Sequence, residues 1–484
     1  VASRVNSSGL VEMVGRTLGS ELVTNGDFSD GTNDWDVEGF SSRDVGTYQG
    51  RNNVLKVNIL NTATISRITQ PFTYVDGTTY KIVVNVYLES GSFRVDSSDS
   101  FVSGNFVKTT DTGSWQTLTA YFTAISSGSN YIWLRSSAQV AEFYIDNISI
   151  QEVIDTNNIP RISYDSNGDN GHILLEPTST NLLPYSEDFS AWTKGDITFG
   201  DDVTSPDGTT NATTINVPDS SDFMYENVTV VASTTYTFSF YVKRGTLDSS
   251  SFLLAIYDDS NNAFISENIS YTTSTEWTRV EHTFSTPSGC TDVRLYTYRN
   301  TSGSTGTFFQ WGAQLEALSY ATSYIPTLIG SQEIRATETA TGAGSADLIN
   351  STEGVLYAEI AALADDGLNK RITISDGTLT NRITLTLGNS NISGFINVNN
   401  STQYTFFESI TTTDFNKIAI KFKANDFAVW INGVEYDVDT SGSTFSANTL
   451  NVINFANATI TDNSFYGKCK ALAVFNEALS DSEL

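Results

Sequence analysis

The chain is written in short runs in which apolar and polar residues alternate with period two, the signature of strands with one buried face. Ile82, Val84, Val86 and Leu88 share one face of such a run, and Phe238, Phe240 and Val242 share one face of another. Between the runs stand clusters of Ser, Thr, Asn, Asp and Gly, the residues of tight polar turns. Strand-like runs continue through residues 355–363, 382–387, 417–422, 427–431 and 471–475. Asn432-Gly433 is the best hairpin signal, because both residues accept the positive φ of a two-residue turn. The pattern predicts an all-β protein.

A duplication organises this pattern. Residues 22–35 read LVTNGDFSDGTNDW and residues 182–192 read LLPYSEDFSAW. Residues 72–88, FTYVDGTTYKIVVNVYL, are matched by 228–242, VTVVASTTYTFSFYV. Residues 113–124 and 275–286 follow as a third pair, and 143–151 and 308–316 as a fourth. Four landmarks in one order define two copies of a module, each large enough to bury a core between two antiparallel sheets. The expected division is an N-terminal connector over 1–20, a first jelly roll over 21–153, a connector over 154–179, a second jelly roll over 180–326, a linker over 327–345 and a third sandwich over 346–484.

Composition narrows the function. The chain has 484 residues, 55 acidic against 26 basic, and a net charge of −29. A general nucleic-acid binder needs Lys and Arg to displace phosphate counterions, so that class is excluded, and the same charge argues against docking on anionic lipid. No apolar run approaches the roughly 20 residues of a membrane-spanning helix. Aromatics make up 12%, too many for a disordered acidic tail. Cys290 and Cys469 fall in different predicted domains and are read as buried thiols. With two histidines and no Cys/His cluster, zinc is not expected. The chain starts at Val1 rather than Met and ends abruptly, so residues are expected to be missing at either end.

The first module, carried by ELVTNGDFSDGTNDW and FYIDNISI, resembles the jelly-roll carbohydrate-binding modules of polysaccharide-degrading enzymes, and the second is a more divergent relative. The third domain, with KIAIKFKANDFAVWINGVEY and FYGKCKALAVFNEALSDSEL, resembles a concanavalin-like, laminin-G-type sandwich. The connecting segments 3–15, 158–193 and 319–341 resemble a recurring pattern in tail-fibre and other virion-surface proteins of tailed bacteriophages, with the first sandwich inserted between pieces that usually lie together. The resemblance implies a virion appendage, extracellular, bound to other virion proteins and oligomeric, with a trimer favoured. It also implies a structural calcium in the first module, on Asp27 and Asp146, although Ser29 stands where the family often has Glu.

Sugars are held by aromatic faces helped by amides and charged groups that hydrogen-bond hydroxyls. The strand around 130–136 places Tyr131, Trp133 and Arg135 opposite its core row, and 292–300 likewise offers Arg294, Tyr296 and Tyr298. Tyr87 and Tyr241 oppose the core rows of two further strands. These rings are candidate platforms for a host cell-surface or extracellular polysaccharide; the alternative is packing against a neighbouring domain or subunit. Glu435, Asp437 and Asp439 alternate along one strand and superficially suit a glycan-cleaving carboxylate pair, which needs two carboxyls about 5 Å apart on one side. Neither His172 nor His282 stands near a nucleophile motif. The expectation is a non-enzymatic adhesion protein, with a structural spacer or an exopolysaccharide depolymerase as alternatives.

Overall fold

A computed structural model describes all residues except 1, 15, 40, 61–65, 99–104, 137–139, 156–160, 219–221, 249–251, 300–303, 328–331 and 459–462. Among the described residues the protein is strands and turns, with a single 3-10 turn at Phe189–Ala191 and no helix long and apolar enough to cross a membrane. The chain divides into two compact units. One is Gly15–Ile159; the other joins Val1–Val14 to Pro160–Leu484.

The Gly15–Ile159 unit is a sandwich of two antiparallel sheets. A five-stranded sheet runs in the order Asn105–Thr109, Phe93–Asp96, Gly128–Arg135, Arg67–Tyr74, Asp36–Glu38. The opposing sheet runs Trp115–Thr123, Thr79–Ser90, Ala141–Asp155, Arg51–Ile59, Ser41–Tyr48, with Arg16–Glu21 added beside Ala141–Asp155. The period-two rows meet between them: Ile82, Val84, Val86 and Leu88 pack with Ile68, Ile132, Leu134 and Phe143, all essentially without solvent contact.

Residues 193–316 repeat the order of the five main strands in each sheet, while the added strand differs: Val203–Thr204 pairs with Thr210–Val217. The five-stranded sheet is Ala263–Ser270, Leu253–Asp258, Asp292–Arg299, Phe223–Thr229, Thr193–Lys194. Its partner is Thr278–Ser285, Thr235–Arg244, Gly306–Glu316, Thr210–Val217, Thr198–Phe199. The shared Asp-Phe-Ser…Trp landmark closes one end of each core. Phe28 and Trp35 are buried in the first module, Phe189 and Trp192 in the second. Each indole N–H is satisfied by an upstream carbonyl: Trp35 donates to Asn25 at 3.1 Å and Trp192 to Tyr185 at 3.0 Å. A buried indole without such a partner would forfeit about 1–3 kcal/mol.

The third sandwich packs a seven-stranded sheet on a five-stranded one. Asn432 and Gly433 take φ of 55° and 79°, making the expected tight hairpin between Phe427–Ile431 and Val434–Asp439. Its seven-stranded sheet is completed by the connector: His172–Leu175 pairs with Gly467–Phe475, and Ile162–Ser163 pairs with His172–Leu175. Cys290 and Cys469 are both buried, free thiols.

Within this unit the two ends of the insertion close on each other. The hairpin of Ala2–Val5 and Val11–Val14 lies against residues 161–168, with the Tyr164 N–H donating to the Val5 carbonyl at 2.9 Å. Gly9 and Gly168, both at positive φ, interlock so closely that a Cβ on either would stand 2.2 Å from a backbone oxygen of the other's loop. Arg161 is buried and donates to the Ser3 carbonyl at 2.6 Å, to Glu176 at 2.7 Å and to Glu338. Arg335 completes the cluster, 2.9 Å from Glu176. Burial pushes the Glu176 carboxyl up, but Arg335 and Arg161 outweigh that and hold it below the usual carboxylate range. Asn181 and Glu316 extend the buried polar seam along the second module, where Asn181 donates to the carbonyls of Ala313 and Ile325 and Glu316 accepts from Ser179 at 2.6 Å.

Candidate functional site

The outer face of the second module's five-stranded sheet carries a row of rings. Strand alternation sends Met224 and Val228 into the core and leaves Phe223 and Tyr225 outward. Tyr225 lies directly opposite Tyr296 on the next strand, and Arg294 is opposite Tyr257 on the one beyond, which in turn faces Phe264. Ring centroids are 5.7 Å apart for Phe223 and Tyr225, 4.8 Å for Tyr225 and Tyr296, and 4.9 Å for Tyr257 and Phe264. All five are half-buried. Two arginines tie the rings together. The Arg294 guanidinium lies 5.1 Å from the Tyr225 ring and 5.4 Å from Tyr257, anchored by Asp259 at 2.6 Å. Arg299 lies 4.6 Å from Phe264 and donates to Asn268 at 2.8 Å. The hydrogen bond to Asp259 holds the Arg294 charge firmly in place, its pKa raised above the ordinary arginine value. Such a face offers apolar ring area edged by polar donors and acceptors, the combination that suits amphipathic surfaces.

The corresponding face of the first module is built differently. Gln70 and Glu226 fall at the same point of the repeat, and they pair with Ile132 and Leu295. Trp133 therefore occupies the position of Tyr296. Where the second module has Phe223 and Tyr225 beside that ring, the first has Arg67 and Thr69. Arg67 stacks 3.9 Å from the Trp133 ring centroid, and Arg135 lies 5.1 Å away. Arg135 grips Asp96 through two nitrogens at 2.9 and 2.7 Å, Arg94 reaches the same carboxylate at 3.1 Å, and Arg67 holds Glu38 at 2.6 Å. Tyr131 stands next to them, 41% exposed.

Residues 185–303 match the family model of a carbohydrate binding domain. All five rings of the second module's face fall inside that range. Among solved structures, the tandem CBM22-1-CBM22-2 domain of Paenibacillus barcinonensis Xyn10C is similar over 62% of this chain and 98% of its own, at 14% identity and a TM-score of 0.24. A CBM4 structure is similar over 27% of this chain and 99% of its own, at 18% identity and TM-score 0.22. Domains LG4-5 of the mouse laminin alpha1 chain are similar over 53% and 90%, at 10% identity and TM-score 0.20. No curated protein sequence matches the chain.

The predicted sugar-binding residues do not form one site. Tyr131, Trp133 and Arg135 share one face, as do Arg294 and Tyr296, but Tyr87 and Tyr241 lie on the opposite sheets of their modules. Tyr87 packs edge-on against Trp115 and Tyr144, at 5.8 and 6.0 Å. Two expectations are corrected. Tyr298 is fully buried, because an extra residue, Thr297, bulges the strand between the Met224 and Tyr225 pairings and turns Tyr298 inward onto Phe308. Tyr241 lies beneath the connector, 5.5 Å from Trp311, in a small cluster with Val11, Ala212 and Tyr324. Phe223, Tyr225, Tyr257 and Phe264 were not anticipated. The signal for the first two was present: they alternate immediately before the repeat landmark at 228.

Asp27 and Asp146, the expected calcium ligands, each have a partner within the protein. The Asp27 carboxylate accepts the backbone N–H and hydroxyl of Ser29 at 3.2 and 2.9 Å, closing its own turn. Asp146 is ion-paired with Arg51 at 2.7 Å. Among the described residues no group of three or more His, Cys, Asp and Glu could hold a metal. The acidic strand of the third sandwich is split by a bulge, so that Glu435 opposes Trp430 while Asp437 opposes Val429 on the other face. His172 contacts the Asn170 carbonyl and His282 the Ser266 hydroxyl, and burial lowers both their pKa values.

Proposed function

We propose that this chain is a non-enzymatic virion-surface protein of a tailed bacteriophage, and that its second module holds host polysaccharide across the five-ring face. The observation that carries the glycan reading is that Phe223, Tyr225, Tyr257, Phe264 and Tyr296 share one open sheet face inside the range matched to a carbohydrate binding domain. The virion reading rests on the resemblance of the connectors, which here form the clasp around Arg161 and Glu176. A sheet face is shallow, so one site binds weakly; copies gathered in a trimer would convert that into avidity without new contacts.

Glycan-array binding by the full chain tests the site. Tyr225→Ala and Tyr296→Ala are each expected to weaken binding about tenfold, the equivalent of roughly 1.4 kcal/mol and the scale of one lost ring contact, with the circular dichroism spectrum unchanged. An array without hits, or variants that bind like the parent, would leave the spacer reading. That reading has its own support in Tyr241 and Trp311, whose rings serve packing between connector and module. Absence of the chain from purified phage particles, probed with antibody, would overturn the virion assignment.

A further inference from the structure

The first module differs from the second in a way that points to a different class of sugar. Across its five-stranded sheet, direct cross-strand partners place Arg67 beside Arg135, Arg135 beside Arg94, and Arg94 beside Lys108. Four cations thus stand in register on neighbouring strands, in a chain whose net charge is −29. Like charges directly opposite each other destabilise a sheet. Among the described residues of these strands, the carboxylates on this face are Glu38, Asp36 and Asp96, one fewer than the cations. Asp96 is almost fully buried beneath Arg94 and Arg135, and its charge is spent on those two. Lys108 is exposed at the end of the row.

Stacking cannot be this face's main means of holding a neutral sugar. Arg67 already lies on Trp133, where the second module leaves rings beside Tyr296. Planar guanidiniums held rigidly by carboxylates and an indole instead match the geometry of a carboxylate ligand. Building on the reading that these modules bind sugars, we propose that the first module recognises acidic polysaccharide, the uronate carboxylates docking on the row from Arg67 to Lys108 beside Trp133. The two modules then divide the work: rings for neutral sugar units in one, fixed cations for acidic units in the other.

Polygalacturonate is the probe, with its carboxyl-reduced form as the uncharged control, in affinity electrophoresis of the full chain. The overall charge of protein and polymer repels, so retention would report a local site. The expected result is retention by polygalacturonate, lost in the reduced polymer and weakened roughly tenfold by Arg67→Gln combined with Lys108→Gln. Tyr225→Ala should leave it intact. Lys108→Gln alone, at an exposed position that folding does not need, should already weaken it and reduce its salt dependence. No retention, equal retention of the reduced polymer, or retention unaffected by Lys108→Gln overturns the proposal. Loss in Tyr225→Ala would also overturn it by placing acid binding on the other face. Failure of neutral-glycan binding with acid binding preserved would instead count against the second module's site alone.

Discussion

Single residues decide what each module can do, and the repeat makes their effects comparable. Glu226 stands where the first module has Gln70, in the inward row of its strand. Gln70 is fully used, accepting from the Thr24 N–H at 3.0 Å and donating to its carbonyl at 2.7 Å. Burial pushes the Glu226 carboxyl up to about 7, and burial chiefly does the same for Glu187, which accepts from Tyr324 and Asn211. A carboxyl whose pKa is raised on folding favours the native state when protonated. That contribution is complete below the ordinary value of 4.5 and disappears as pH rises through about 7. The thermal midpoint should therefore be higher at pH 5 than at pH 8. Glu226→Gln should raise it at pH 8 and change it little at pH 5; a substitution that lowered the midpoint equally at both would refute the assignment. Trp133 and Tyr296 were legible from alternation alone, whereas Tyr298 was not, because a bulge shifts alternation by one residue without altering composition.

At the level of elements, short connector strands join two sandwiches. The hairpin of Ala2–Val5 and Val11–Val14 has few residues of its own to bury, and its stability comes from the glycine interlock and from Arg161. Removing one member of a buried ion cluster leaves the others uncompensated, at a cost of about 3–5 kcal/mol. Arg161→Met should thus lower the denaturation midpoint of the 160–484 part and expose the hairpin to protease, while Glu176 and Glu338 lose their shared partner. Unchanged urea melts and an uncut hairpin would show the cluster to be incidental. The connectors look like loops in sequence because their strands are two to four residues long, too short for a period-two pattern to register.

For the molecule as a whole, the contacts assign Gly15–Ile159 to one unit and the residues on both sides of it to another. A chain with residues 15–159 replaced by a short Gly-Ser linker should fold, retain the second module's glycan binding and lose retention by polygalacturonate. A deletion product that aggregates or melts without cooperativity would show that the units depend on each other. The repeated strand order explains why the two modules resemble each other at landmarks yet not at their outer sheet faces. The landmarks plug cores, where volume and hydrogen bonding constrain the choice. The outer faces bear no such constraint and have diverged to rings in one copy and arginines in the other.

Local alternation, turn residues and recurring core plugs depend on neighbours in sequence, so the chain by itself determined the all-β class, the two copies and the closing hairpin. Which side chains stay open depends on bulges that shift the alternation and on what packs over a face from distant parts of the chain. Only the folded structure could show that Tyr241 is covered, that Tyr298 turns inward, and that Arg67 reaches across to Trp133. A period-two pattern separates two sides of a strand, but covering a side is a long-range event that leaves no local periodicity.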